Sequence, residues 1–492
     1  MTQQPVADPS MERSLDPPDW TAFRSLSHRM LDLALDHMEG VRDRPVWTPV
    51  PETVKAALDE PLPLAPQGAD KVCADLTELI LPYGTGNTHP RFFGWVHGSG
   101  TPSGVIAEML AAAMNANLGG RDHGAVYVER QVIEWCRRLF EFPETASGLV
   151  VSGTSMATFI ALTTARYAKA NYDVRHLGVQ PGESKLVGYT SEEAHSCIAR
   201  TFDYMGIGQD ALRLIPVDDD YRMNIDALRQ AIARDIEAGN TPFCVVGAAA
   251  TVNTAAMDDL EAIADVCQAH DLWFHVDGAF GAVAALSETL KPRLKGIERA
   301  DSLAFDFHKW MHVQYDAGFV LVRREDLHRE AFTLRREYLT DLPRGLAGGN
   351  PWFCEYGPEL SRGFRALKVW FALKEHGIAR IAEKVEDNCR QAAYLAAKIE
   401  AHPELELLAP VALNIVCFRF IDPSQSEQDL DRLGTEIVMA LQEQGIAAPS
   451  TTTLRGTVAI RVNITNHRTT TADMDVLIDA VVSTGQALLG KS

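Results

Sequence analysis

Between residues 148 and 322 short apolar runs alternate with helical patterns: "GLVVS", "KLVGY", "LRLIPV", "FCVVGAA", "LWFHVD" and "GFVLV". No other feature restricts the fold as much. Strand-like runs separated by stretches long enough for a helix, such as Met257–His270, build crossover units. Crossovers give a mostly parallel sheet wrapped by helices, an α/β fold. Ligands of such sheets sit at the carboxyl ends of the strands, so chemistry is expected there.

The flanks read differently. Within residues 1–100, Phe23, Leu26, Met30 and Leu33 recur at helical spacing ahead of the Pro-rich stretch "VWTPVPETVKAALDEPLPLAPQG". A helix with one apolar stripe must bury it, on a partner subunit or within its own chain. Residues 101–375 hold the large α/β domain, and 376–492 read as a small α+β domain around "NIVCFRF" and "TVAIRVNIT". A chain of 492 residues exceeds what one small core organises. The net charge of −20 argues against nucleic acid or an anionic membrane as partner. An anionic ligand therefore needs a local site. No apolar stretch approaches the roughly 20 residues that span a bilayer. The N-terminus lacks a charged-then-apolar signal, and the eight cysteines include no C-x-x-C pair. Reduced thiols in the cytoplasm are expected, with no zinc site.

Four strand ends carry reactive residues. "LVVSGTSMATFIAL" runs from a strand through Ser152 and Gly153 into a helix at Thr154 and Ser155, where N–H groups and the helix dipole favour an anion. By itself this turn is better explained as a helix cap. His195, in "YTSEEAHSCIART", is a weak signal alone. In "LWFHVDGAFGA", Asp277 ends an apolar strand and small residues follow, leaving room for something flat beside a carboxylate that needs a partner. "FDFHKWMHVQYDAGFVLVRR" places Lys309 between two apolar strands. Apolar surroundings predict a lowered pKa and a nucleophilic amine; the plainer alternative is a snorkelling side chain. An amine, a carboxylate beside a flat space and an anion cradle together suit pyridoxal 5'-phosphate.

These residues also carry a resemblance. "HVDGAFG" with "HKW" at 308–310 resembles the group II pyridoxal phosphate-dependent amino acid decarboxylases, the aromatic L-amino acid type most of all. "THPRFFGW" (88–95), "SGTSMATFIALTTAR" (152–166), "EEAHSC" (192–197), "ATVNTAAMDDL" (250–260) and "LSRGFRALKVWFALKEHG" (360–377) extend it over nearly the whole chain. The resemblance implies the aspartate aminotransferase fold (fold type I) and a homodimer with active sites at the interface, embraced by the N-terminal helices. It implies that Lys309 bonds the cofactor aldehyde and that Asp277 holds the pyridine nitrogen protonated. His195 and Ala279 would flank the ring, with Thr154, Ser155 and His308 near the phosphate. The implied reaction is decarboxylation of an L-amino acid, an aromatic one first, to the amine and CO2.

Two positions depart from the family. The substrate wall carries Trp95, Val96, His97, Asn115 and Asn117, a more polar set than aromatic substrates usually meet. In the loop "DLPRGLAGGNPWFCEYGPELSRGF", Phe353 stands where decarboxylases keep a catalytic tyrosine; Tyr356, Tyr338 or a water on His195 are the alternative proton sources. Plant relatives with phenylalanine there make an aldehyde, so an aldehyde synthase is the alternative outcome. An aminotransferase and a non-catalytic fold member stand behind it.

Overall fold

In the computed structural model, which describes residues 14–179, 185–334 and 342–490, the apolar runs become seven strands of one sheet. They are β1 (Ser147–Val151), β2 (Leu186–Ser191), β3 (Leu212–Ile215), β4 (Thr241–Ala248), β5 (Trp273–Asp277), β6 (Ser302–Asp306) and β7 (Gly318–Val322). Their order is β1-β7-β6-β5-β4-β2-β3. β2, β3, β4, β5 and β6 pair in parallel, whereas β7 runs antiparallel to both β6 and β1. The reversal has a simple cause. Only the eleven residues 307–317 join β6 to β7, fewer than a helical crossover needs. That short return carries His308 and Lys309. Because β7 alone is reversed, β1, β2, β4, β5 and β6 bring their carboxyl ends to one edge.

A second, wholly antiparallel sheet follows: β8 (Leu405–Leu407), β9 (Ile415–Phe420), β10 (Ser450–Leu454) and β11 (Thr457–Asn463), in the order β10-β11-β9-β8. β8 is three residues long and β10 reads "STTTL", so neither has the apolar signature that marked β9 and β11. This sheet packs a core of its own, including Phe418, Ile437, Ile460 and Leu477. The helix Ala366–Glu400 leads into it and is interrupted at Gly377 (φ 68°, ψ 162°), a left-handed conformation open to glycine.

Both sheets belong to one compact unit, Pro45–Trp47 with Gly86–Ser492. Its helices α4 (Pro102–Met114), α5 (Gly124–Leu139) and α6 (Thr154–Lys169) precede or follow β1. α4 starts on Pro102 and ends at Asn115, whose left-handed φ of 44° closes it. The other unit is the described part of Met1–Arg44 with Thr48–Thr85, and holds α1 (Trp20–Glu39), α2 (Glu52–Leu58) and α3 (Ala69–Asp75). Asp19 caps α1 by accepting the N–H groups of Thr21 and Ala22. Of α1 only Leu26 is buried, while Trp20, Phe23 and Leu35 are exposed. Among the described residues no helix is long and apolar enough to cross a membrane.

Three histidines should make the fold acid-labile: His275 and His328 are buried and His467 is half-buried. His328 Nε2 donates to the Tyr356 carbonyl at 2.7 Å and its Nδ1 takes the Ser147 hydroxyl at 2.8 Å. Burial pushes the pKa of His328 and His467 down to about 4, and that of His275 to about 3. In the unfolded chain all three titrate near 6.5. The unfolded state therefore binds protons first, and stability present above about pH 6.5 is lost as the pH falls toward 4. For His328 the difference amounts to something on the order of 3 kcal/mol. Thermal unfolding followed from pH 7 to pH 4.5 should show a steep fall in Tm. His328→Gln should lower Tm at pH 7 and flatten that slope; an unchanged slope would remove His328 from the account.

Candidate active site

At the shared edge of the sheet lies a cavity of about 560 Å³. Lys309, His308, Asp277, Ala279, His195, Thr154 and Ser155 all line it, as do Trp95, Val96 and His97. Residues from four strand ends and one distant N-terminal segment thus meet around a single space.

Lys309 follows β6 by three residues, and its ammonium lies 2.8 Å from the Asp306 carboxylate, which is itself buried. Burial pushes the lysine pKa down, but the charge and hydrogen bond of Asp306 and the charge of Asp277 outweigh it. The net shift is upward. The lowered pKa expected from apolar neighbours is therefore corrected: the ligand-free chain holds Lys309 as an ammonium ion. Asp306 is the last residue of β6, and only the turn after it brings its carboxylate back against Lys309. The same carboxylate accepts the Thr154 N–H at 2.7 Å and lies 3.7 Å from His308 Nε2. It ties the lysine turn to the start of α6.

Asp277 ends β5, buried, and accepts the Ala279 N–H at 3.1 Å. Burial pushes its pKa up. A carboxylate so placed is stabilised by a cationic N–H, which a protonated pyridine nitrogen supplies. The small residues after it have a different origin from the one expected. A Cβ on Gly281 would stand 1.5 Å from the Ala249 carbonyl oxygen, and one on Gly278 would stand 2.5 Å from Ala282 Cβ. These glycines admit the neighbouring chain; of this stretch, Ala279 and Phe280 face the cavity. His195 stands just before the helix Cys197–Tyr204, and its Nδ1 accepts the Cys197 N–H at 3.2 Å. Burial lowers its pKa, so the ring stays neutral with its proton on Nε2.

The anion end is built by β1 and α6. β1 stops at Val151, and α6 begins at Thr154 with its N-terminus at the cavity. The turn is pressed against β7, since a Cβ on Gly318 would lie 2.3 Å from Gly153 Cα. Among the described residues the buried Thr154 hydroxyl has no hydrogen-bond partner. An orphaned donor beside a helix N-terminus fits a phosphate.

The cavity wall that carries Trp95, Val96 and His97 is held by β11 and the residues just after it. Arg461 of β11 donates to the Trp95 carbonyl at 2.9 Å, and the Thr465 hydroxyl donates to the His97 carbonyl at 2.8 Å. Trp95 adopts φ 50°, uncommon for a bulky residue and held here by that carbonyl bond. Tyr315, which sequence reasoning missed along with Asp306, Thr251 and Val252, also lines the cavity. Its only sequence signal is its place in the β6–β7 return.

Four expected residues stand elsewhere in this chain. Asn115 is the exposed C-cap of α4. The Asn117 carboxamide accepts the N–H groups of Gly119 (2.8 Å) and Arg362 (3.1 Å), a structural role. Phe353 is buried in a one-turn helix with the Arg362 guanidinium 5.1 Å from its ring centre. Arg362 is fixed in turn by its buried ion pair with Glu129 at 2.5 Å. The Tyr356 hydroxyl donates to Glu325, and burial with that bond pushes its pKa up. None of the four lines the cavity. Tyr338 lies outside the described residues.

A lysine, a buried carboxylate and an anion-binding helix start around one cavity of a mostly parallel sheet define a pyridoxal phosphate-dependent enzyme. The chain belongs to the pyridoxal-dependent decarboxylase family, whose conserved domain matches residues 51–421. It is 34% identical over 458 residues to an aromatic-L-amino-acid decarboxylase of Bacillus atrophaeus, covering 92% of this chain and 93% of the relative. It is 27% identical to a phenylacetaldehyde synthase of Arabidopsis thaliana, covering 92% and 93%. In fold it matches a crystal structure of Oryza sativa TDC with PLP and tryptamine, with a TM-score of 0.89 at 23% identity, covering 96% of this chain and all of that one.

Proposed function

We propose that this protein decarboxylates an aromatic L-amino acid to its amine and CO2. The observation that carries the reading is the convergence of Lys309, Asp277, His195 and Thr154 on one cavity. Bound pyridoxal phosphate supplies an aldehyde that bonds an amine and a ring that accepts the electron pair of a broken bond to carbon. Lys309 offers the amine, and Asp277 keeps a proton on the ring nitrogen. His195 and Ala279 flank the ring, and Thr154, Ser155 and the α6 N-terminus, with His308 nearby, hold the phosphate. Trp95, Val96 and His97 orient the substrate side chain. The aromatic substrate is supported by that wall, where the His97 ring lies 5.9 Å from Trp95 and 6.0 Å from Tyr315, and by the named activity of the Bacillus relative.

Phe353 and the similarity to an aldehyde synthase favour a second reading, oxidative conversion to an aldehyde. One experiment addresses both. The twenty L-amino acids are offered under air while CO2, amine, ammonia and peroxide are measured. Aromatic amino acids should yield CO2 and amine in equal amounts. Peroxide matching CO2 would establish the second reading, and CO2 from non-aromatic amino acids alone would overturn the substrate assignment.

The working form we propose is a homodimer in the cytoplasm. α4 exposes Ile106, Met109, Leu110 and Met114, an apolar face that water does not favour. The exposed apolar residues of α1 supply the N-terminal embrace. All eight cysteines are free, as suits a reducing compartment.

A further inference from the structure

Decarboxylation needs a proton at the end. CO2 leaves without the electron pair of the broken C–C bond, and amine forms only when the substrate carbon then gains a proton. The loop position that would serve holds Phe353, which has no proton to give, and the Tyr356 hydroxyl is engaged by Glu325 away from the cavity. We infer that Tyr315 is the catalytic acid that delivers this proton. The inference rests on the decarboxylase reading above.

Tyr315 lies in the β6–β7 return, six residues after Lys309, and its side chain lines the cavity. Its ring packs on His308 with centres 4.3 Å apart and meets His97 of the substrate wall at 6.0 Å. The phenol thus stands between the lysine turn and the wall that orients the substrate. The Gly98 N–H and the charge of Lys309 both act on its hydroxyl, each favouring the phenolate. Residue 98 packs closely on the lysine turn because it is glycine: a Cβ there would stand 2.1 Å from the His308 carbonyl oxygen.

The chemistry of the other candidates is less suited. His195 is neutral, and its single N–H is a far weaker acid than a phenol. Burial pushes the Cys197 thiol above the usual range. The charge and hydrogen bond of Asp306 raise the Lys309 pKa, which makes its ammonium a weaker acid. Tyr315 differs in both required respects. A phenol holds its proton at neutral pH, and the phenolate left after transfer faces the Gly98 N–H and an ammonium. The step balances: the O–H bond breaks, a C–H bond forms with the electron pair left by CO2, and water restores the phenol.

The test uses Tyr315→Phe, which keeps the ring contacts and removes the hydroxyl. A single turnover with the carboxyl-labelled amino acid that the wild type uses best is quenched at intervals, and CO2 and amine are counted. In the wild type they should rise together. In Tyr315→Phe, CO2 should appear at the wild-type rate while amine lags by about 10²-fold, the usual range for a lost general acid. Under air the missing amine should emerge as aldehyde, ammonia and peroxide, consuming one O2 and one water per CO2. A second readout needs no turnover. In the cofactor-free full-length chain, phenol absorbance titrated with pH should lose one high-pKa group in Tyr315→Phe. In Lys309→Ala that group should titrate higher still, because the neighbouring ammonium is gone. Amine keeping step with CO2 in Tyr315→Phe overturns the inference and leaves the decarboxylase reading intact. So does a phenol titration indifferent to Lys309→Ala, and so does an equal loss of CO2 and amine, which would mark a binding role. A wild type that releases no CO2 from any amino acid overturns both.

Discussion

Lys309→Ala should release CO2 at less than a few per cent of the wild-type rate, because among the described residues no other amine side chain lines the cavity. Removing a covalent group typically costs several orders of magnitude, and neighbouring groups do not make good the loss. The structure adds a second effect. Asp306 is buried and loses the ammonium 2.8 Å away. A buried charge stripped of its partner costs on the order of 3 kcal/mol, so the cofactor-free variant should melt at lower temperature. Lys309→Ala with Asp306→Asn should recover part of that Tm and none of the activity. Turnover above a few per cent in the single variant would refute the role of Lys309, whereas an unchanged Tm would refute only the importance of the ion pair.

Asp277→Asn should keep its fold and bind cofactor, and lose about 10²- to 10³-fold in rate. The amide fills the same volume and can still accept the Ala279 N–H. It carries no charge to hold a proton on the ring nitrogen, so the electron pair from the breaking bond is accepted less readily. The loss should fall on kcat more than on KM, since the interaction strengthens only as charge develops. A near-wild-type kcat would show that Asp277 serves packing alone.

Much of this site can be read from local sequence. A strand end is a local object, so β1, β5 and β6 announce where Thr154, Asp277 and Lys309 emerge, and the spacing of the helical patterns between strands implies the parallel sheet. The family follows from those motifs, since each sits on one strand or one turn. The second sheet was half legible, because β8 and β10 lack an apolar signature.

Other properties depend on where the chain goes after each motif. The path of residues 307–317 turns Asp306 back against Lys309 and aims Tyr315 into the cavity, and no spacing rule states either. The lysine pKa depends on that path too: composition around it implies a fall, whereas a carboxylate 2.8 Å away reverses the sign. Trp95 and His97 are aimed by Arg461 and Thr465, more than 360 residues later. Within this chain Asn117 accepts the Arg362 N–H and the Phe353 ring lies against the Arg362 guanidinium, contacts that no local pattern announces. The sequence by itself determined which reactive groups this protein owns and at which strand ends they emerge, because backbone periodicity is local. Only the tertiary structure decided which of them meet, and in what charge state, because hydrogen bonds and Coulomb forces act through space between groups that the sequence holds apart.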